Sequence, residues 1–438
     1  MTKTINNCFD SHVHFWATGQ VELGLKLNQL TDINELKHIK LKPQYFRNHW
    51  LVGFGWDDKK WVSPVLPNLT WLDQLFPDFP VFLSRIDGHS SWINTKAIEE
   101  LKKKGMNFDT HPVGGLIQRD QNQKLTGILQ DQAHIQALLL LPSFSEIQHK
   151  DFLTESQKIF NRGGFTHVRD LSLNQNQWQI LTKMSDKREL TICLEGFVTL
   201  EKLQDFEQAL NQVNWMKQHP NPHLRILGVK AFVDGSLGSQ TAFISQNYIQ
   251  SDQKGLLIWN KVEVEMLLRK AWTQNLEVAL HTIGDESLHQ IILAARQVAS
   301  EGILGRLHLE HAQLMRPETV NLMKPLHITC HLQPCHWLSD SNWLNQVIPK
   351  SLQSYLFSWE LLRKNKIPFY FGSDSPIEPS RLLLTEKALV ESAQRGIPEL
   401  GEPWLKHHQH PDLKWLPSWT EFTADEVKQV YFNGEPIL

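Results

Sequence analysis

His12 and His14, two histidines one residue apart, end a short strand-like run near the start of the chain. Side chains two residues apart in a strand point to the same face of the sheet, so both imidazoles can reach one metal ion. The pair alone is weak support, because the chain has 21 histidines and repeats the spacing at His408 and His410. That second pair precedes a proline and follows no predicted strand, and we interpret it as part of a solvated loop.

Short apolar runs that recur after residue 164 give this pair its context. Each run has the length and the Val, Ile, Leu, Phe or Thr content of a buried strand, and amphipathic segments of helical period separate the runs. The runs are Phe165–Val168, Leu190–Val198, Leu224–Val233, Leu276–His281, Arg306–His311, His327–Leu332 and Ile367–Gly372. With the run that ends at His14 they predict eight parallel strands joined by helices, which is an α/β fold of the closed (β/α)8, TIM-barrel class.

Polar residues stand in or just after several of these runs, namely Lys230, His281, His311 and Asp374. Each has an ordinary structural explanation: a buried histidine is usually a hydrogen-bonded core residue, a strand lysine reaches out to solvent, and an aspartate beside serine and proline makes a turn. Active sites of barrels, however, are built where the strands end. These residues occur at strand ends, as the histidine pair does, and this combination favours a metal site.

The chemistry of the donor groups constrains the metal. Imidazole and carboxylate ligands without thiolate suit Zn²⁺ best, with Mn²⁺, Fe²⁺, Co²⁺ and Ni²⁺ as alternatives. An ammonium group has no lone pair to offer, but a buried Lys230 near cations is driven toward its neutral amine. The amine can capture CO₂ as a carbamate, which can bridge two metals. Asp374 is then placed to take a proton from a metal-bound hydroxide and to protonate a leaving nitrogen.

Composition indicates an ordinary globular enzyme. The 438 residues are 41% hydrophobic and carry a formal net charge of −3, which excludes a broad electrostatic attraction to nucleic acid or to an anionic membrane. No apolar run is long enough for a signal peptide or a membrane span. The four cysteines form no Cys-x-x-Cys unit and are interpreted as buried thiols in a reducing compartment, so we expect a cytoplasmic protein. A small-molecule substrate is expected, and homo-oligomerisation stays open.

Residues 15–163 do not follow the repeat. They are predicted to form an insertion after the first barrel strand, while residues 1–14 and 164–400 form the barrel and residues 401–438 a tail packed on it. An insertion at that point emerges on the catalytic face, so it is a candidate lid or wall of the substrate pocket. The alternative is a stabilising appendage that touches no substrate.

Several motifs resemble the amidohydrolase superfamily and, within it, the amidohydrolase-3 branch, which includes deformylases and deacylases of N-substituted amino acids. The resemblance extends from about residue 8 to 380. Its most specific stretches are Val229–Ser239 and Gly372–Glu378; others are Asp87-Gly88-His89, His281 with Gly284-Asp285, and Glu310-His311-Ala312-Gln313.

The resemblance implies a distorted barrel in which His12 and His14 bind one metal, His281 and His311 bind the other, and carboxylated Lys230 bridges them. Asp374 would be both a ligand and the general acid and base. Asp87 and His89 would approach the substrate. Members of the family usually begin with a β-sandwich before the histidine pair, and the N-terminal part of that sandwich is expected to be absent here.

These observations predict a metal-dependent hydrolase with two Zn²⁺ ions that cleaves a C–N amide-type bond, as in an N-acyl or N-formyl amino acid, by attack of a metal-bound hydroxide. One alternative is a deaminase-like member of the same family that uses a single metal. Another is a degenerate barrel that binds a metal or ligand without turnover.

Overall fold

The computed structural model describes residues 2–62, 67–86, 88–112, 115–394, 407–411 and 417–437. The chain divides into two compact units, one made of Met1–Thr18 with Ser156–Leu438 and the other of Gly19–Glu155. The strands are β1 (Lys3–Asn6), β2 (Phe9–Val13), β3 (Leu25–Lys26), β4 (Phe46–Arg47), β5 (Trp50–Trp56), β6 (Val81–Arg85), β7 (Ser90–Ile93), β8 (Gly115–Arg119), β9 (Leu125–Asp131), β10 (His167–Asp170), β11 (Cys193–Leu200), β12 (Leu224–Phe232), β13 (Glu277–Thr282), β14 (Arg306–His311), β15 (His327–Leu332), β16 (Phe369–Phe371), β17 (Trp419–Phe422), β18 (Val427–Phe432) and β19 (Glu435–Pro436).

The α-helices are α1 (Phe15–Leu23), α2 (Leu69–Leu75), α3 (Thr95–Lys103), α4 (Gln132–Leu139), α5 (Glu146–Arg162), α6 (Gln175–Asp186), α7 (Phe206–Gln218), α8 (Lys261–Thr273), α9 (Asp285–Ser300), α10 (Pro317–Met323), α11 (Pro334–Asp340), α12 (Leu344–Val347), α13 (Trp359–Lys364) and α14 (Leu382–Gln394). Short 3₁₀ turns occupy Ile33–His38, Pro43–Tyr45, Asp58–Lys60, Leu203–Asp205 and Gln353–Tyr355. Within the described ranges, no helix is both long and apolar enough to cross a bilayer.

The first unit is built on an eight-stranded sheet in the order β2, β10, β11, β12, β13, β14, β15, β16. All neighbouring strands in it are parallel. Helices cover its outer surface, with α7 against β11 and β12 and α8 against β13 and α9. A backbone bridge between Val13 and Ser375 joins the two edges. The sheet is nearly closed, and the predicted (β/α)8 class is confirmed.

The alternation of residues along strand β14 shows which side chains line the inside of the barrel. Its apolar residues Leu307 and Leu309 alternate with His308 and Glu310, so the two kinds face opposite sides of the sheet. Glu310 bonds across the interior to the side chain of Arg169 on β10, which places the polar face inside. Branched apolar residues usually fill a barrel interior; here charged and imidazole groups occupy part of it.

A close backbone approach fixes the start of the barrel against its end. Gly372, just after β16, lies so near β2 that an added Cβ would be 2.5 Å from the backbone nitrogen of His12. Two residues later the amide of Asp374 donates to the carbonyl of His12 at 2.8 Å, and the amide of His14 donates to the carbonyl of Ser375 at 2.8 Å. The backbone therefore sets the positions of predicted site residues from both ends of the barrel.

The two ends of the chain meet in a separate antiparallel sheet of four strands, β1, β17, β18 and β19. Nearby, the interpretation of His408 and His410 as a solvated loop is wrong, since they are only 1% and 2% exposed. The His410 ring packs edge-on against Phe9 and its Nε2 lies 3.1 Å from Oε2 of Glu195. These contacts keep water away from the two histidine side chains, although the surrounding sequence is polar.

The second unit contains a seven-stranded sheet in which β3, β5, β6, β7, β9 and β8 follow one another and β4 pairs with β5. Two apolar clusters stabilise it. One includes the buried indoles of Trp56, Trp61 and Trp92, and the other lies around Trp50 and Phe82. In this unit the tryptophans therefore serve mainly as core.

We predict that Gly372→Ala lowers stability, because the new Cβ would collide with the backbone of His12. Overpacking of this kind costs about 1–3 kcal/mol, which should appear as a lower apparent melting temperature. Gly238→Ala is the control, since its Cβ would meet only the Trp343 ring at 3.5 Å. Equal melting temperatures for the two variants would contradict the close approach.

Candidate metal centre

Three predicted residues, His12, His14 and Asp374, meet at the end of β2. The Nε2 atoms of His12 and His14 lie 3.1 and 3.3 Å from the same carboxylate oxygen, Oδ1 of Asp374. His12 is 1% exposed and Asp374 is 7% exposed. The three side chains can offer one ligand atom each to a single ion.

A second group of possible ligands shares Asp374 and adds His311 and His336. The rings of His311 and His336 are nearly parallel, at 11°, with centroids 5.8 Å apart. The Nε2 atom of His336 lies 3.7 Å from Oδ2 of Asp374. His336 was not predicted from the sequence. It lies on α11, four residues after β15, and the prediction considered only the strands and the residues directly after them.

His281 lies next to these groups but in neither of them. Its ring centroid is 4.5 Å from that of His311, while its Nε2 is 3.1 Å from the carbonyl oxygen of Gly235. A carbonyl oxygen can only accept, so Nε2–H donates and Nδ1 keeps its lone pair. Burial and then the neighbouring Lys230 lower the pKa of His281 to about 3, which keeps the ring neutral.

Lys230 is fully buried on β12, and among the described residues its ammonium nitrogen has no hydrogen-bond partner. The nitrogen sits 4.3 Å from the centroid of the Phe232 ring. Burial lowers the pKa of Lys230 to about 8, although the carboxylates of Glu310 and Asp374 oppose the shift. A neutral amine is therefore accessible, while the carboxylation of Lys230 stays a prediction.

An ion pair beneath the site orients His12. Oε2 of Glu310 lies 2.7 Å from Nδ1 of His12, and Arg169 donates to both carboxylate oxygens at 2.7 and 3.2 Å. A carboxylate only accepts, so Nδ1–H of His12 donates and Nε2 presents its lone pair to the centre. Outer partners of this kind fix the tautomer of a metal-binding histidine.

His14 has the same arrangement through a serine. Its Nδ1 lies 3.2 Å from Oγ of Ser172, and that hydroxyl donates its own hydrogen to Oδ1 of Asp170 at 3.0 Å. Because the hydroxyl hydrogen is already used, Nδ1–H of His14 must donate to Oγ. The Nε2 lone pair of His14 again faces Asp374.

Asp234 organises the loops that hold His281. Its carboxylate accepts backbone N–H bonds from Phe243, Ile283 and Gly284 at 2.8–3.0 Å. The next residue in the chain, Gly235, supplies the carbonyl that His281 contacts. The loop after β12 is thereby fastened to the residues that follow β13.

Backbone conformation marks the same region. His311 has a φ of +71° and Asp374 a φ of +60°, which is the left-handed region that residues other than glycine rarely adopt. Such conformations cost about 1–3 kcal/mol and cluster at functional sites. Both strained residues are among those predicted to carry the chemistry.

The protonation states also suit a metal. Burial alone would raise the pKa of Asp374, but His12 and His14 lower it well below its ordinary value. Burial, followed by His281 and His12, lowers the pKa of His311 well below its ordinary value. An ionised carboxylate surrounded by imidazoles with inward lone pairs fits a divalent cation. So do two buried nitrogens, one on His311 and one on Lys230, for which the described part of the chain supplies no hydrogen-bond partner.

The two residues predicted to approach the substrate belong to the second unit. Asp87 lies outside the described residues. His89 follows β6, its side chain is 71% exposed, and its Nδ1 is 3.4 Å from Oδ1 of Asp131. A substrate contact by either residue stays a prediction.

Comparison with known proteins agrees with the fold and shows the family of the chain. A model of the amidohydrolase family matches residues 9–395, so the chain belongs to the amidohydrolase family and the resemblance seen in the sequence is confirmed. Membership supports a hydrolase that depends on a divalent metal.

Curated relatives cover most of the chain. The Bacillus subtilis protein "Putative amidohydrolase YtcJ" is 30% identical over 392 residues, which is 87% of this chain and 72% of the relative. The Arabidopsis thaliana protein "LONG AFTER FAR-RED 3" is 28% identical over 434 residues, 93% of this chain and 70% of the relative.

Two solved structures share the fold, both uncharacterized metal-dependent hydrolases. The one from Pyrococcus furiosus superposes with a TM-score of 0.71 at 24% identity and covers 89% of this chain and 77% of its own. The one from Pyrococcus horikoshii has a TM-score of 0.72 at 24% identity and covers 91% and 76%.

We predict that Glu310→Gln weakens metal binding by about 10–100-fold, because His12 loses the carboxylate that fixes its tautomer. Unfolding should become easier by about 3–5 kcal/mol, since Arg169 keeps a buried charge without a counter-ion. Metal titration and denaturant unfolding measure the two effects.

Glu277→Gln is the matched control. Glu277 accepts from Nε2 of His308 at 2.7 Å, but it lies at the opposite end of the barrel from His12. Its replacement should leave metal affinity unchanged. If both variants bind metal like the unmodified protein, the orienting role of Glu310 is wrong.

Proposed function

We propose that this protein hydrolyses a C–N amide-type bond in a small molecule, such as an N-acyl or N-formyl amino acid, at a centre that holds two divalent metal ions. The observation that carries the proposal is the position of the Asp374 carboxylate, which lies close to ring nitrogens of His12 and His14 and also of His311. Beside them is the buried amine of Lys230, which has no hydrogen-bond partner among the described residues. Family membership supports the hydrolase class. The bond type and the substrate are the parts that we propose.

We infer Zn²⁺ as the metal, because imidazole and carboxylate donors without thiolate suit it. His12 and His14 would hold one ion together with Asp374. His281, through Nδ1, and His311 would hold the other, and Lys230 as a carbamate would bridge them. The outward hydrogen bonds of His12, His14 and His281 support this assignment, because each leaves an inward lone pair.

When bound, a divalent ion lowers the pKa of a water molecule and polarises a carbonyl oxygen. Asp374 performs the proton transfers. Its Oδ1 faces His12 and His14, whereas Oδ2 points toward His336 at 3.7 Å, so Oδ2 is the oxygen that takes a proton from the attacking water. The same atom then delivers that proton to the leaving nitrogen, as general acid–base catalysis requires.

A one-metal, deaminase-like reaction is the second candidate. It is favoured by the completeness of the group formed by His12, His14 and Asp374, which supplies three ligands from side chains that already lie together. In that case Lys230 would stay unmodified. Metal stoichiometry separates the two candidates.

A reducing, cytoplasmic location is part of the proposal. All four cysteines are buried and unpaired. Burial raises the pKa of their thiols, to about 12 for Cys335, so they are poor nucleophiles and behave as small apolar residues.

We predict about two metal ions per chain after reconstitution with zinc and bicarbonate, and a Lys230 that carries the added mass of one carboxyl group in native mass spectrometry. Lys230→Met keeps the apolar stem without the amine, so it should bind fewer ions. Lys183→Met, a change on the exterior helix α6, serves as the control. One ion per chain and an unmodified Lys230 would favour the one-metal candidate.

We also predict that Asp374→Asn lowers turnover by about 10²–10⁴-fold, the usual contribution of a general acid–base residue. The assay is a panel of N-acyl and N-formyl amino acids, cyclic amides and esters, with Asp186→Asn at the exposed end of α6 as the control. Full activity in Asp374→Asn would overturn the mechanism. Absence of amide hydrolysis across the panel would overturn the proposed bond type.

A further inference from the structure

His336 is the residue of the centre for which the sequence offered no role. It lies on α11, directly after β15, and its ring packs parallel to that of His311. Its Nε2 is buried and has no hydrogen-bond partner among the described residues. A buried polar atom without a partner is costly, so its retention at this position calls for a ligand that it meets.

The outer partner of His336 differs in kind from those of the other histidines. His12, His14 and His281 each donate a ring N–H outward, to a carboxylate, a hydroxyl and a carbonyl. His336 instead has Nδ1 at 3.3 Å from Nε2 of Gln313. An amide nitrogen donates and does not accept, so Nδ1 of His336 is the acceptor in this contact.

The tautomer follows from that contact. With Nδ1 accepting, the single hydrogen of the neutral imidazole is on Nε2. The inward atom of His336 is therefore an N–H donor, where the inward atoms of His12 and His14 are lone pairs. In a doubly protonated ring, Nδ1–H of His336 would face the amide N–H of Gln313, and two donors cannot form a hydrogen bond.

We propose that His336 is a hydrogen-bond donor to an oxygen of the bound substrate and that it is not a metal ligand. The substrate group would be the carbonyl oxygen of the amide or ester, on which negative charge develops as water adds. A preorganised donor in a buried site stabilises such charge without reorganisation. This role rests on the proposed function, whereas the tautomer of His336 does not.

Gln313 is the positioning residue for this donor. In Gln313→Glu the carboxylate can only accept, so Nδ1 acquires the hydrogen and Nε2 turns a lone pair inward. The variant thus reverses the tautomer of His336 while leaving its ring in place. Gln333→Glu is the matched control, because Gln333 is equally buried but its Nε2 donates to the backbone carbonyl of His331.

The first measurement is ¹⁵N NMR of the zinc-loaded holoenzyme labelled in histidine, with His336→Asn used to assign the resonance. We expect a protonated Nε2 and an unprotonated Nδ1 for His336, the reverse in Gln313→Glu, and no change in Gln333→Glu. A protonated Nδ1 in the unmodified protein would overturn the proposal without any substrate.

The second measurement is zinc content. His336→Asn and His336→Ala should keep the zinc content of the unmodified protein, while His311→Asn should lose zinc. His289→Asn, a half-buried histidine of α9 that pairs with Thr319, is the control for the substitution itself. Loss of zinc from the His336 variants would make His336 a ligand and overturn the proposal.

The third measurement is turnover of the best substrate from the amide and ester panel. His336→Ala and Gln313→Glu should lose about 10²–10³-fold in kcat, as expected for removal of one oxyanion donor, while His336→Asn, which keeps a side-chain N–H, should recover part of that loss. Unchanged kcat in His336→Ala would overturn the role. If no substrate is turned over, the proposed function fails, and the NMR and zinc results still decide between donor and ligand.

Discussion

The buried ion pair between Arg169 and Glu310 is the constraint on which the centre depends. Both side chains are fully buried, and such a pair contributes little net stability compared with apolar residues of the same size, although breaking it is costly. In this protein the ion pair orients the side chain of His12. Glu310 fixes the tautomer of His12, and Arg169 keeps Glu310 ionised and in place. The presence of a lone pair on Nε2 of His12 therefore depends on these two buried charges.

The barrel accommodates these charges because different residues line the inner and the outer surface of its sheet. Leu307 and Leu309 of β14 face the helices and supply apolar burial, while Glu310 on the same strand serves the interior. Hydrogen-bonded loops complete the arrangement, with Asp234 fastening the loop beside His281 and the backbone of Asp374 tied to His12. Stability and chemistry are therefore provided by alternate residues of the same strands.

The features that recur regularly with the strands could be predicted from the sequence. The alternation of eight apolar runs with helical segments was enough to predict the barrel. The rule that sites lie at strand ends then selected His12, His14, His311 and Asp374, whose side chains the structure brings together. His336 was missed because a helix after a strand, and not the strand itself, carries it inward. The burial of His408 and His410 depends on contacts with residues nearly 400 positions away, such as Phe9, which no local pattern encodes.

We propose that the residues around Asp374 hold two divalent cations bridged through Lys230. Anomalous diffraction at the zinc absorption edge, from crystals grown with zinc and bicarbonate, tests it most directly. We expect two peaks, one beside His12 and His14 and one beside His281 and His311, with carboxyl density on Lys230 between them. A single peak, or a Lys230 side chain that ends at its amine, would contradict the account.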